Sequence, residues 1–118
     1  MLFRSIIANV VGGLSLDEPA ADLAIALAVA SCYWDAPLAP DTVVVGEVGL
    51  TGELRPVSAL ERRLAEAARL GFSRCLAPPG ETAVPEGMEL ILVATLGQAL
   101  RLGLRRRKQA RVSASTDD

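Results

Sequence analysis

The chain has 118 residues, 51% of them hydrophobic and 3% aromatic, with a formal charge of −2. That is enough for one folded domain, too little for two, and too apolar for a disordered body. The absence of histidine excludes Ser-His and Cys-His catalytic pairs and makes zinc and copper sites a poor fit, so no metal is expected in this chain.

Ser5 to Val11 (SIIANVV) is a β-rich apolar run closed by Gly12-Gly13 and reads as a strand and a turn. Asp17 suits a helix N-cap. Glu18 and Pro19 suit the first helical turn, where negative charge favours the dipole and a missing N–H costs nothing. The helix continues over Ala20 to Trp34, apolar on nearly every side. It is therefore expected to be buried under a sheet, with Pro37 and Pro40 ending it. The stretch Leu23 to Trp34 is too short to cross a bilayer, and no cleavable leader is recognisable, so a cytoplasmic location is expected. Cys32 and Cys75 both sit in apolar runs and are expected as buried thiols.

Thr42 to Leu50 (TVVVGEVGL) predicts a second strand, Thr51-Gly52 a turn, and Glu53 to Val57 a short return strand. Ser58 with Glu61 three residues on predicts a capping box, and the helix it starts runs to Leu70, with Gly71 as the residue that closes it. Arg74 to Ala77 and Glu89 to Val93 read as strands, and Thr95 to Leu104 as a last helix. Residues 1–104 make the single domain, and 105–118 read as a disordered basic tail. Six basic residues from Arg101 onward stand against Asp117 and Asp118, so that end carries +4 and residues 1–100 carry −6. The order β-α-β-β-α-β-β-α predicts an α+β fold, an α/β layered sandwich with parallel pairs across right-handed crossovers.

No Walker loop or dinucleotide fingerprint is present. The only lysine, Lys108, lies in the tail, with no apolar pocket in prospect to lower its pKa for work as a base. Against this background two segments stand out. GEVGLTGELRPV (Gly46 to Val57), followed by ERRLAEAARLGF, resembles the second half of the Lon-type peptidase domain. Asp17-Glu18-Pro19-Ala20-Ala21-Asp22 matches the turn that carries that family's serine nucleophile. The resemblance implies a Lon-type, ribosomal protein S5 domain 2-like fold. It places Ala20 at the serine position and Arg63 at the lysine position. Val45 falls where the family has a threonine, and Asp22 where it has a glycine. A methyl cannot attack, and a guanidinium that keeps its proton cannot act as a base. The expectation is a domain without peptidase activity, with Asp17, Glu18, Asp22, Val45 and Glu47 as neighbours of the relic site.

Among Lon-like domains without the dyad, NVVGG-L-LDEPAADLA together with the two segments above is similar to the C-terminal domain of the RadA (Sms) family of bacterial DNA repair and recombination proteins. That resemblance implies a hexameric ring, DNA binding and branch migration. It also implies an ATPase and a zinc motif preceding this domain, so ATP and zinc are expected only there, and the domain is expected to lack its N-terminal elements. Two alternatives share the motifs: an active ATP-dependent peptidase domain, and the Lon-like domain of magnesium-chelatase-related competence proteins.

The charged groups have two readings each. Glu18 and Asp22 beside Arg63 form either a ligand-gripping relic site or a salt bridge that seals a disused pocket. Arg62 and Arg69 share a helix face, and Arg105, Arg106, Arg107 and Lys108 begin the tail. These six are either nucleic-acid contacts or solvated charge. Self-association through exposed apolar surface is the remaining expectation, with no membrane partner.

Overall fold

A computed structural model of the chain describes residues 18–105; the expected strand at Ser5–Val11, the cap at Asp17 and the tail beyond Arg105 lie outside them. Pro19 opens a single 3-10 turn, Pro19–Ala21, whose Ala21 N–H donates to the Glu18 carbonyl at 2.9 Å. Helix α1 follows directly (Asp22–Trp34) and stops at Asp35, which adopts the left-handed conformation at φ 53°. A short polar side chain tolerates that region better than most. The helix therefore ends before either proline.

Strand β1 (Thr42–Val44) runs parallel to β4 (Arg74–Ala77), and β4 runs parallel to β5 (Glu89–Leu92), in the order β1-β4-β5. The register places Val44 opposite Leu76 and Leu76 opposite Ile91. Alternation along the strands then sorts the core into two clusters. Val44, Leu76 and Val93 pack with Leu23, Leu27 and Ala99, under α1 and α3 (Leu96–Gly103). Val43, Val45, Cys75 and Ala77 pack with Leu60, Leu64 and Ala67 of α2 (Leu60–Arg69). The result is the expected layered α+β arrangement with a parallel sheet between helices. Each fully buried leucine in it contributes about 1.5–3 kcal/mol.

The β1-to-β4 connection carries the antiparallel hairpin β2 (Glu47–Val48) and β3 (Leu54–Arg55), then α2. The β4-to-β5 crossover has no helix. Pro78, Pro79, Gly80, Pro85 and Gly87 interrupt segment 78–88 and deny it the amides and backbone preferences a helix needs. Met88 at its end packs into the α2 cluster.

Several expectations need correction. The strand expected over Thr42–Leu50 is two strands, because the Gly46 backbone leaves the sheet to bond the start of α1. Ser58 does not cap α2. Ala59 turns in the left-handed region at φ 56° as N-cap, with no side-chain cap, and the Ser58 carbonyl instead accepts from Arg63 Nε at 2.9 Å. The C-terminal reading holds: Gly71, at φ 101°, sends its N–H to Ala68 and the Phe72 N–H reaches Ala67, a Schellman closure. α3 carries a cap the sequence reading missed, in which Thr95 Oγ1 accepts from the Gln98 N–H at 3.1 Å. α1 is not buried all round: Val29, Tyr33 and Trp34 are exposed, and so is Cys32, whereas Cys75 is buried. An almost uniformly apolar helix carries no pattern to say which side faces water.

Candidate functional site

The turn before α1 wraps the C-terminal end of β1. Gly46 N–H donates to the Ala20 carbonyl and Leu23 N–H donates to the Gly46 carbonyl, both at 2.9 Å. Ala20 consequently faces the α2 cluster while Leu23, three residues later, faces the other side of the sheet. Gly46 is the pivot on which the chain changes faces.

A cavity of about 260 Å³ opens beside this turn. Glu18, Pro19 and Ala20 line it from the turn, Glu47 from β2, and Pro56, Val57 and Ser58 from the link to α2. Arg63 closes it from α2 itself. Ala20 and Arg63, the two positions the sequence resemblance sets against a serine-lysine dyad, thus share one cavity. Arg63 is committed on two sides. Its NH2 is 2.8 Å from Glu18 Oε2 and its Nε donates to the Ser58 carbonyl. The Arg63 side chain is 17% exposed and the Glu18 side chain 36%, so the pair sits at the cavity wall rather than in bulk solvent. Glu47, about as exposed as Glu18, has its Oε2 4.0 Å from Arg55 NH1.

The other residues expected beside this site point elsewhere. Asp22 does not approach this wall as a lining residue; its Oδ2 accepts from the Val48 N–H at 3.1 Å and ties the first turn of α1 to the hairpin. Val45 is buried in the α2 cluster, where a methyl suits the apolar surroundings and a hydroxyl would need a partner. Asp17 lies outside the described residues. Among the described residues no group of three or more metal-ligating side chains comes together.

The hairpin tip holds an organising carboxylate that the sequence reading passed over. Glu53 accepts from the Thr51 hydroxyl and N–H and from Arg55 Nε and NH2. It covers Gly49 so closely that a Cβ there would meet Glu53 Oε2 at 2.0 Å and push the carboxylate off its present partners. The Thr51 hydroxyl, then the residue's own backbone amide, hold the Glu53 carboxyl down at about 2 against desolvation, with Arg55 adding a smaller lowering. The signal available in the sequence was Thr51-Gly52-Glu53-Leu54-Arg55 itself, a hydroxyl and a cation each two residues from one acid.

The basic candidates are dispersed. Arg62 is exposed, Arg69 pairs with Glu66 on α2, and Arg105 is exposed beyond α3. Arg106, Arg107 and Lys108 lie outside the described residues.

The cavity and everything that shapes it fall within a stretch that matches a known family. The model described as subunit ChlI of Mg-chelatase matches residues 4–81. The chain belongs to this family. Curated relatives of this ChlI-family chain are DNA repair proteins named RadA. The Bacillus subtilis RadA is 49% identical over 99 residues, which cover 81% of this chain and 22% of the relative. The Mycobacterium tuberculosis RadA is 48% identical over 93 residues, 79% of this chain and 19% of the relative. For Mycolicibacterium smegmatis the figures are 45% over 93 residues, 79% and 20%. The chain is thus RadA-related and spans about a fifth of the length of the curated relatives it matches. No helix of the described residues is long and apolar enough to cross a membrane.

Proposed function

We propose that this chain is the non-proteolytic Lon-like domain of a RadA-type DNA repair and recombination ATPase, working in the bacterial cytoplasm as a self-associating scaffold with a DNA-facing basic surface. The observation that carries this reading is the shared cavity. Its wall presents a methyl at Ala20 and, at Arg63, a guanidinium already bonded to Glu18 and Ser58. Acyl transfer by a serine-lysine pair needs a hydroxyl and a neutral amine at those places, and arginine does not give up its proton to serve as the base. The RadA identity over about four fifths of the chain supports the DNA repair context. In that context ATP hydrolysis, zinc binding and the hexameric ring belong to the whole protein, of which this domain supplies contacts.

The test of the non-proteolytic reading is direct. The chain is treated with a serine-directed phosphonate probe and assayed for casein turnover; no adduct and no turnover are expected. A labelled serine whose substitution abolishes turnover would falsify the proposal and favour an active peptidase domain. A second reading is favoured by the match to the Mg-chelatase subunit ChlI model over residues 4–81: the same scaffold in a magnesium-chelatase-related competence protein. DNA affinity measured across a salt titration, with and without residues 106–118, tests the DNA-facing surface. A steep salt slope that flattens on truncation supports phosphate contacts by the basic residues; no affinity at low salt removes them.

A further inference from the structure

We propose that the basic segment Arg106–Arg111 docks on the aromatic end of α1 in its own chain, its cations lying against Trp34 and Tyr33. The surface is unusual for this composition. The chain has one tryptophan and one tyrosine, and both stand side by side at the last turn of α1, 56% and 81% exposed. Val29, one turn earlier, is exposed with them. The two rings meet edge to face, with centroids 6.1 Å apart and planes 69° apart. Their faces therefore point in different directions and more than one is open to a cation.

The electrostatics favour a positive occupant. The rings sit at the C-terminal end of a thirteen-residue helix, where the carbonyl dipole is negative. Asp35 follows at once, and Asp41 lies on the same connection to β1. Residues 1–100 carry −6. Nucleic acid would stack on aromatics, but its phosphates would meet this negative field; guanidinium groups meet complementary charge and a π face together.

The occupant is delivered to the patch by the fold. The chain leaving α3 is pinned to the loop that leaves α1: the Ala39 N–H donates to the Gly103 carbonyl and the Arg105 N–H to the Pro37 carbonyl, both at 2.8 Å, around a bridge between Leu38 and Leu104. Pro37 is three residues from Trp34, so the Cα atoms are at most about 11 Å apart along the chain. Six residues from Arg106 reach about 20 Å when extended. A segment tethered so close competes for the patch at an effective concentration in the millimolar range, ahead of any free partner. The docked segment would hold its charge against the acidic body, and a polyanion that binds the segment would have to lift it off the rings. This inference does not depend on the proposed function.

Trp34 is the only tryptophan, so its fluorescence reports the patch alone. Acrylamide quenching is measured on the full chain and on the fourfold variant Arg106→Gln, Arg107→Gln, Lys108→Gln, Arg111→Gln, with far-ultraviolet circular dichroism checking that the variant is folded. At low salt the quenching constant of the variant is expected to be about twofold higher than that of the full chain. High salt, which shortens the screening length to about 3 Å at 1 M, should bring the full chain up to the variant's value. Equal constants at low salt overturn the proposal. Protection of Trp34 that increases with protein concentration also overturns it, by assigning the patch to a second copy.

Discussion

The bond between Asp22 and the Val48 N–H joins the first turn of α1 to the hairpin across 26 positions of sequence, and it can be removed without touching the core. Replacing Asp22 with alanine deletes the acceptor and the charge. A hydrogen bond to a charged group contributes about 1.5–3 kcal/mol, and the half-buried setting of Asp22 draws the value toward the lower end because water can reach the freed amide. A carboxylate in the first turn adds about 0.3–1 kcal/mol through the helix dipole, and alanine returns about 0.5 kcal/mol of helix propensity. The expected net loss is about 2 kcal/mol for Asp22→Ala. Asp22→Asn keeps an oxygen at the same place and loses only the charge, so about 1 kcal/mol is expected.

The assay is urea unfolding followed by far-ultraviolet circular dichroism, which does not depend on the exposed Trp34. With a slope of about 2 kcal/mol per molar, Asp22→Ala should lower the midpoint by about 1 M and Asp22→Asn by about half that. Amide exchange adds a local readout: the Val48 N–H should lose protection in the alanine variant and keep most of it in the asparagine variant. Equal midpoints for all three proteins, or a Val48 amide as protected in Asp22→Ala as in the parent, would refute the assignment of this bond as the clasp between helix and hairpin.

Glu53, held at about 2 mainly by the Thr51 hydroxyl, should titrate upward toward 4.5 in Thr51→Val, read from the side-chain carboxyl resonance across pH; an unmoved midpoint would show that another group holds it. Because its folded value is depressed, its contribution to stability is present above about 4.5 and is lost as pH falls toward 2. The two thiols should separate in a disulfide-exchange assay on the native chain. Cys32 is exposed and should react at once, whereas the Cys75 thiol, buried and pushed up to about 12 by desolvation, should react only on unfolding. Cys32→Ser should remove the fast phase, and a fast phase that survives it would contradict the burial of Cys75.

How much of this was legible in the sequence depends on whether local or distant groups decide. β4 was readable to the residue, since Arg74–Ala77 lies between a glycine-closed helix and a run of prolines. The end of α2 was readable because Gly71 supplies a backbone conformation that other residues resist. The break at Gly46 was not, because what bends the chain there is a pair of bonds to Ala20 and Leu23. The capping box at Ser58 failed for a related reason: Arg63, five residues on, takes the Ser58 carbonyl and holds the chain so that Ala59 starts the helix. Within the site, Ala20, Arg63 and Glu18 were singled out by motif, and all three line one cavity. Asp22 was given the wrong partner because the Val48 amide that claims it is set by the hairpin's placement.

What shapes the cavity is separate from what would make it reactive. The turn at Glu18–Asp22 is fixed by backbone bonds to Gly46, by the Pro19 ring and by the Asp22 bond to Val48. None of these three needs a hydroxyl at position 20 or a base at position 63, and the Arg63–Glu18 pair adds a further tie from α2 to the same turn. Arg63 in turn is held by Glu18 and by a backbone carbonyl, contacts that stiffen the wall and require no proton transfer. A serine introduced at Ala20 would therefore inherit the shape of the turn but meet a guanidinium bonded to Glu18 and Ser58, with no neutral amine among the described residues to receive its proton. The backbone frame of this turn stands without a nucleophile or a base, and that is the physical argument behind the scaffold proposed above.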